Sequence, residues 1–278
     1  MARQRYGFDE DKIERFLKEG RGQGRGRDYL PWLTIRDVPS RGRSHRLQGF
    51  TTDRVHHLLS DIECGLFYLA DWSDSVTDIR EQFPLQRDAT QRIAAQLDVA
   101  HPCDSATRTP LVMTTDFLLD VVQDRRLKLM ARAVKPASDL DKPRTLEKLE
   151  IERRYWLEQD VDWGIVTERE IPKVAVRNIA WVHSYGTLSH INQPYPGYLD
   201  EMAEHVLREI SARRSGTLRQ SCADIDEGFS LERGTALMLV RHLLARKKLR
   251  FPIDEPLDDD VALERFTAHR IDRLRSAL

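Results

Sequence analysis

Between Thr114 and Lys135 the chain reads TTDFLLDVVQDRRLKLMARAVK: two apolar-rich runs, TTDFLLDVV and LKLMARAVK, around a polar QDRR. Runs of this length and composition on either side of a short polar turn are a β-hairpin signal. With QDRR as the turn, facing positions have numbers that sum to about 249, which sets Asp116 opposite Ala133. Side chains alternate along a strand, so Lys135 points to the same face as Ala133 and lies diagonal to Asp116. A slip of one residue would send Lys135 to the other face. An acid and a base on adjacent strands are therefore expected to meet.

Working outward, SVTDIREQFPL (75–85) reads as a strand that ends at Pro84, and DWGIVT (162–167) as another. Ser60 caps a predicted helix through about Asp71 with Leu66, Phe67 and Leu69 as apolar surface, and TLEKLEIERRYWLEQ (145–159) is a second helix. SHRLQGF and RVHHLLS flank Thr51-Thr52-Asp53 and suggest a further hairpin, while 9–19 reads as a short amphipathic helix with Ile13, Phe16 and Leu17 on one side. Residues 86–110 are polar, with prolines, and fit a helix or loop excursion. A hairpin feeding a βαβ unit implies an α/β fold, a mixed sheet flanked by helices. A boundary is expected between Glu168 and Pro172, giving domains 1–168 and 169–278. Beyond it helices are predicted at 173–184, 198–213, 217–224 and 231–246, the last two broken by DEGFS, and KKLRFPID (247–254) reads as a short strand or wing. That order suggests a winged helix-turn-helix.

The balance of 44 Lys+Arg against 45 Asp+Glu conceals a local surplus. Residues 1–50 hold 12 basic and 7 acidic side chains, concentrated in GRGQGRGRDYLPW and SRGRSHR. Arg21, Arg25, Arg27, Arg41 and Arg43 are candidate phosphate contacts; a solvated flexible arm is the equal alternative. The glycines of 20–26 lack GK[ST] and a GxGxxG register, which excludes a phosphate loop. Cys64, Cys103 and Cys222 are scattered and odd in number, as in a cytoplasmic protein with reduced thiols rather than a disulfide or zinc scaffold. No apolar run approaches a membrane span, and no secretory signal is evident at the start.

Phosphodiester hydrolysis needs charge neutralised on the phosphate and a water made nucleophilic. A carboxylate that anchors Mg²⁺ does both, and a lysine beside it orients the water or offsets charge. Asp116 with Lys135 suits that chemistry, although from these residues alone a cross-strand salt bridge is the favoured reading. Glu63 is the second acid, on the helix face of Leu66 and Phe67; Ser60 to Glu63 also forms a capping box that would occupy it. Glu152 shares a helix stripe with Leu149 and Trp156, but its charged helix favours a structural ion pair. His56 and His57 point to opposite faces and do not chelate one ion together, and Trp156, Trp163 and Trp181 read as core anchors.

Read together, KEGRGQGRGRDYLPWLTIRDVPSRGRSHR, RVHHLLSDIE, DIREQFPL, TTDFLLD, AVKPAS and RTLEKLEIERRYW resemble, in order and spacing, the TnsA endonuclease subunit of Tn-seven-type transposons over roughly residues 10–170. The resemblance implies a restriction-endonuclease-like catalytic domain, a winged-helix-like partner-binding domain, and cutting of the non-transferred strand at the 5′ ends of a transposon. It implies three partners: transposon-end DNA, a TnsB-type transposase that joins the 3′ ends, and a TnsC-type ATPase. By motif, Glu63 and Asp116 become metal-binding acids and Lys135 the catalytic lysine, with Mg²⁺ as cofactor and Mn²⁺ able to substitute. The family pattern has Gln two residues before the lysine; here it is Ala133, so a metal contact falls to Glu63, to the Val134 carbonyl or to water. Ala133 also supports an alternative, a non-catalytic adaptor holding transposase and ATPase on DNA. In 169–278, Arg246, Lys247, Lys248 and Arg250 could touch phosphates, yet 17 basic against 16 acidic residues favour protein docking.

Overall fold

The computed structural model describes residues 7–37, 43–213 and 215–268. The chain divides into two compact units, Met1–Ile171 and Pro172–Leu278.

The first unit begins with α1 (Glu10–Lys18), capped by the Asp9 carboxylate on the Lys12 N–H at 2.8 Å. It buries Ile13 and Phe16 against Trp32. Leu17, expected on the same side, is 54% exposed, because only the stripe three residues apart reaches Trp32. The glycine-rich segment then doubles back on itself, with the Gly22 N–H on the Leu30 carbonyl and the Leu30 N–H on the Gln23 carbonyl. Gly22 lies at φ +78°, where a Cβ would sit 2.1 Å from the Pro84 ring. The arm is thus seated on the fold rather than a free flexible tether.

Next come the hairpin β1 (His45–Gln48) and β2 (Val55–Leu58), α2 (Asp61–Trp72), β3 (Val76–Pro84), α3 (Arg87–Gln96), β4 (Thr114–Gln123), β5 (Arg126–Val134), α4 (Pro143–Leu157) and β6 (Asp162–Val166). The central sheet has the order β3-β4-β5-β6, antiparallel across the first two junctions and parallel at the third. Asp124 and Arg125, at φ +50° and +60°, form the two-residue tip of the β4–β5 hairpin. Left-handed pairs of this kind match the right-handed twist of the strands they join. The ladder runs from Gln123↔Arg126 to Phe117↔Arg132, so paired numbers sum to 249 as predicted.

Alternation divides β4 between two layers. Phe117 and Leu119 pack with α2 residues Cys64, Phe67 and Ala70, whereas Leu118 packs with Ile93 and Ala94 of α3 and Ile151, Tyr155 and Trp156 of α4. The architecture is α/β: a mixed sheet covered by helices on both faces. Where the sheet meets the β1–β2 hairpin the core is ionic. Glu81, fully buried, accepts both guanidinium nitrogens of Arg54 at 2.8 and 2.5 Å and a ring nitrogen of His56 at 2.7 Å. Burial would raise the Glu81 pKa, but His56 and Arg54 outweigh it and hold the carboxyl well below its usual range.

The second unit holds α5 (Lys173–His183), α6 (Tyr198–Ala212), α7 (Leu218–Gly228), α8 (Thr235–Ala245) and a two-stranded ribbon of β7 (Leu249–Arg250) with β8 (Thr267–Ala268). It is mostly helical, with Ile179, Val182, Val206, Ile210, Ile225 and Leu239 in its interior. DEGFS separates α7 from α8 as expected, although its first three residues still belong to α7. Its Asp226 is bound to the start of α8, accepting the Gly234 and Ala236 N–H groups at 2.6 and 2.8 Å. No helix among the described residues is long and apolar enough to cross a membrane.

Replacing one member of a buried charge pair strands the other. Glu81→Ala is expected to destabilise the first unit by about 3–5 kcal/mol. Urea denaturation followed by tryptophan fluorescence measures this, and an unchanged midpoint would show that the Arg54–His56–Glu81 cluster contributes nothing.

Candidate active site

Asp116 stands in the middle of the sheet, between β3 and β5, one step beyond the Phe117↔Arg132 pair and hence across from Ala133. Its carboxylate is heavily engaged. Oδ2 accepts the Val134 N–H at 2.6 Å and the Lys135 ammonium at 2.7 Å, and Oδ1 accepts the Gln82 amide at 3.2 Å. Lys135 lies just past β5, where its own N–H is bound to the Val166 carbonyl of β6 at 3.0 Å. Its ammonium also donates to the Val134 carbonyl at 2.8 Å. A positive group thus bridges the Asp116 carboxylate and the Val134 carbonyl.

Glu63 arrives from the first turn of α2. It completes the cap: the Ser60 hydroxyl receives the Glu63 N–H, while the carboxylate accepts the Leu59 N–H and the Ser60 hydroxyl, each at 3.0 Å. It also lies within the electrostatic reach of Asp116. Burial first, and the Asp116 charge second, push its pKa up to about 7. Glu152 on α4 is a correction to the sequence reading, which favoured an ion pair on a charged helix. It is buried, and one carboxylate oxygen accepts the Thr115 hydroxyl at 2.9 Å and the Trp163 indole N–H at 3.1 Å. The Trp156 indole holds Thr115 from behind at 2.6 Å. Burial and then Asp116 raise the Glu152 pKa to about 7. Burial alone would lower that of Lys135, but Asp116, with Glu152 and Glu63, outweighs it and keeps the lysine charged.

Three carboxylates and one ammonium therefore share one field, and the acids outnumber the base. Both glutamates are shifted well above the ordinary carboxylate value, the usual response of crowded buried carboxylates. A divalent cation relieves the same repulsion. The groups that could serve as donors, Asp116, Glu63 and the Val134 carbonyl, all offer oxygen, which would suit a hard ion that completes its shell with water and substrate oxygens. The Lys135 ammonium already sits against two of these oxygens, as a cation would. Among the described residues no group of three His, Cys, Asp or Glu side chains is arranged to hold a metal ion unaided. A backbone or water ligand is consistent with this, since Ala133, wholly buried, presents only a methyl group.

The chain matches the family model described as TnsA-like endonuclease N terminal over residues 73–168, and that described as TnsA endonuclease C terminal over residues 170–253. It is 43% identical over 253 residues to the Transposon Tn7 transposition protein TnsA of Escherichia coli, covering 91% of this chain and 90% of that protein. This chain belongs to the TnsA endonuclease family. Asp116, Lys135 and Glu152 fall inside the TnsA-like N-terminal match; Glu63 precedes it.

Arginines proposed as phosphate contacts from the basic surplus near the start of the chain are engaged with carboxylates. Arg21 is bound to Glu19 and Asp37, Arg25 to Asp120, and Arg27 to Asp53. In the second unit Lys248 is bound to Glu204. A phosphate at any of these would compete with a carboxylate. Arg43 is exposed, and Arg41 lies outside the described residues. Gln82, Thr115 and Trp163, which touch the site acids, were not among the candidates.

The raised acids have a measurable consequence. The ordinary glutamate value is 4.5 and that of folded Glu152 about 7. Between these values the folded protein keeps a proton that the unfolded chain has released, so raising the pH through this window removes stability. In chelator, the melting temperature is expected to fall between about pH 5 and about pH 8, and to fall less in Glu152→Gln, which is neutral throughout. Equal slopes in the two proteins would contradict the assignment.

Proposed function

We propose that this chain is the endonuclease subunit that cuts the non-transferred strand at the 5′ ends of a transposon, with Mg²⁺ as cofactor and Mn²⁺ able to substitute. It would act in the cytoplasm beside a TnsB-type transposase and a TnsC-type ATPase, residues 1–168 forming the catalytic domain and 169–278 the partner-binding domain. The observation that carries this reading is the bond between Asp116 and Lys135 at 2.7 Å, in a field shared with Glu63 and Glu152. The TnsA name of its relative supports the transposition setting.

Asp116, Glu63 and the Val134 carbonyl would hold the cation. When bound, it neutralises phosphate charge and makes water more acidic. Lys135, kept protonated, supplies positive charge toward a non-bridging phosphate oxygen as the water oxygen forms its bond to phosphorus and the bridging P–O bond breaks. Glu152, whose raised pKa lies near neutrality, is suited to hold the proton the water gives up. The Thr115 and Trp163 bonds fix that glutamate's orientation.

Ala133 favours a second reading, an adaptor that assembles transposase and ATPase on DNA without cutting. One experiment separates the two. With the transposase partner, end DNA and Mg²⁺, Asp116→Ala and Lys135→Ala are each expected to slow non-transferred-strand cleavage at least about a hundredfold while leaving partner binding intact. Cleavage undiminished in Asp116→Ala would discard the site. Loss of cutting with 3′ joining retained should leave donor and target linked, and sequenced products that were only simple insertions would contradict this.

A further inference from the structure

Gln82 is a polar, buried residue inside a strand, and its backbone is unusual. It is 2% exposed and lies at φ +49°, in the left-handed region that non-glycine residues rarely adopt. Unfavourable backbone of this kind persists where surrounding contacts over-determine it, and such positions gather at functional sites. Here the contacts are visible. The Gln82 carbonyl accepts the Trp32 N–H at 3.2 Å, and β3 keeps its pairing on both sides, Glu81↔Phe117 and Phe83↔Thr115. The alternation of side chains nevertheless breaks. Ile79 packs on the α2 side, while Phe83, an even number of residues away, packs against Trp156 on the α4 side.

The ladder leaves Gln82 across from Asp116. Its Nε2 donates to Asp116 Oδ1 at 3.2 Å, and its Oε1 accepts the Thr114 hydroxyl at 3.0 Å. An ionised carboxylate only accepts, so the NH₂ end of the amide must face Asp116. On the opposite flank stands Ala133, with no polar side-chain atom. Asp116 thus has side-chain support from two residues, Lys135 on Oδ2 and Gln82 on Oδ1.

We infer that Gln82 is the positioning residue for the cation site, holding the Asp116 carboxylate in its binding orientation through its amide. The inference rests on the proposed role of Asp116 as a cation-binding acid. A divalent ion competes with the Lys135 ammonium for the same carboxylate. Once the ammonium yields, the Val134 N–H and the Gln82 amide are what remain to keep the carboxylate from turning. The strained backbone of Gln82 and the Thr114 hydroxyl fix the donor beforehand.

Titration of the full-length, metal-free protein with Mn²⁺ by calorimetry tests this without reference to cutting. Gln82→Met keeps the volume and removes the donor. Gln82→Gly accepts the positive φ and removes the amide, which separates backbone strain from hydrogen bonding. Both are expected to weaken Mn²⁺ binding about tenfold or more, as loss of groups that orient metal ligands commonly does. The metal-free melting temperature of at least one of the two should stay at the parental value. Parental affinity in both variants, with Asp116→Asn abolishing binding, would overturn the role of Gln82 alone. Affinity lost only in step with the metal-free melting temperature would also overturn it. Parental affinity in Asp116→Asn would overturn the cation reading of Asp116 and this inference with it.

Discussion

The bond between Asp116 and Lys135 depends on a hairpin whose register has no freedom to slip. Both residues lie at the end of β4–β5 remote from its turn, so any error at Asp124 or Arg125 would propagate to them and turn the lysine to the other face. The two left-handed turn residues define the register, and burial on both faces of β4 makes any other register costly. The parallel partner β6 then anchors Lys135 through its backbone N–H. Geometry at the site is thus a consequence of sheet architecture, with side-chain contacts refining it.

Around that bond the protein gathers more carboxyl groups than it has basic groups to pair with them. Glu63 comes from the α2 layer, Glu152 from the α4 layer and Asp116 from the sheet between them. Burial first, and the Asp116 charge second, raise the pKa of both glutamates to about 7. A fold that only needed to be stable would gain little from this arrangement; the Glu81 cluster, where Arg54 and His56 balance a buried acid, is how the same unit treats a carboxylate with a structural role. On the proposed reading, the contrast within one sheet is that between an acid awaiting a cation and an acid already satisfied.

Much of the fold was legible in sequence because it rests on local signals. The TTDFLLDVV and LKLMARAVK runs flank a short polar turn, so counting outward from QDRR set Asp116 opposite Ala133. Ser60 marked the start of α2, and the long helix before DWGIVT implied the parallel crossover. Glu152 was misjudged because periodicity turns a residue inward without saying what it meets. Its partners Thr115 and Trp163 come from β4 and β6, and the charged neighbours Glu150, Arg153 and Arg154 pair among themselves instead. Gln82 was illegible for a related reason. β3 and β4 are joined by residues 85–113, so no tight turn sets their register, and nothing in REQFP announces a left-handed residue. The arginines of the basic arm read as phosphate contacts or as solvated because two of their acidic partners, Asp53 and Asp120, are distant in sequence.

Diffraction from crystals soaked in Mn²⁺, with anomalous differences recorded at the manganese edge, tests the central claim most directly. A strong peak is expected within bonding distance of the Asp116 carboxylate, with Glu63 and the Val134 carbonyl as the other protein oxygens and the Lys135 ammonium moved off Asp116. Manganese bound elsewhere, or an Asp116–Lys135 bond left intact at saturating Mn²⁺, would reduce that bond to a structural salt bridge.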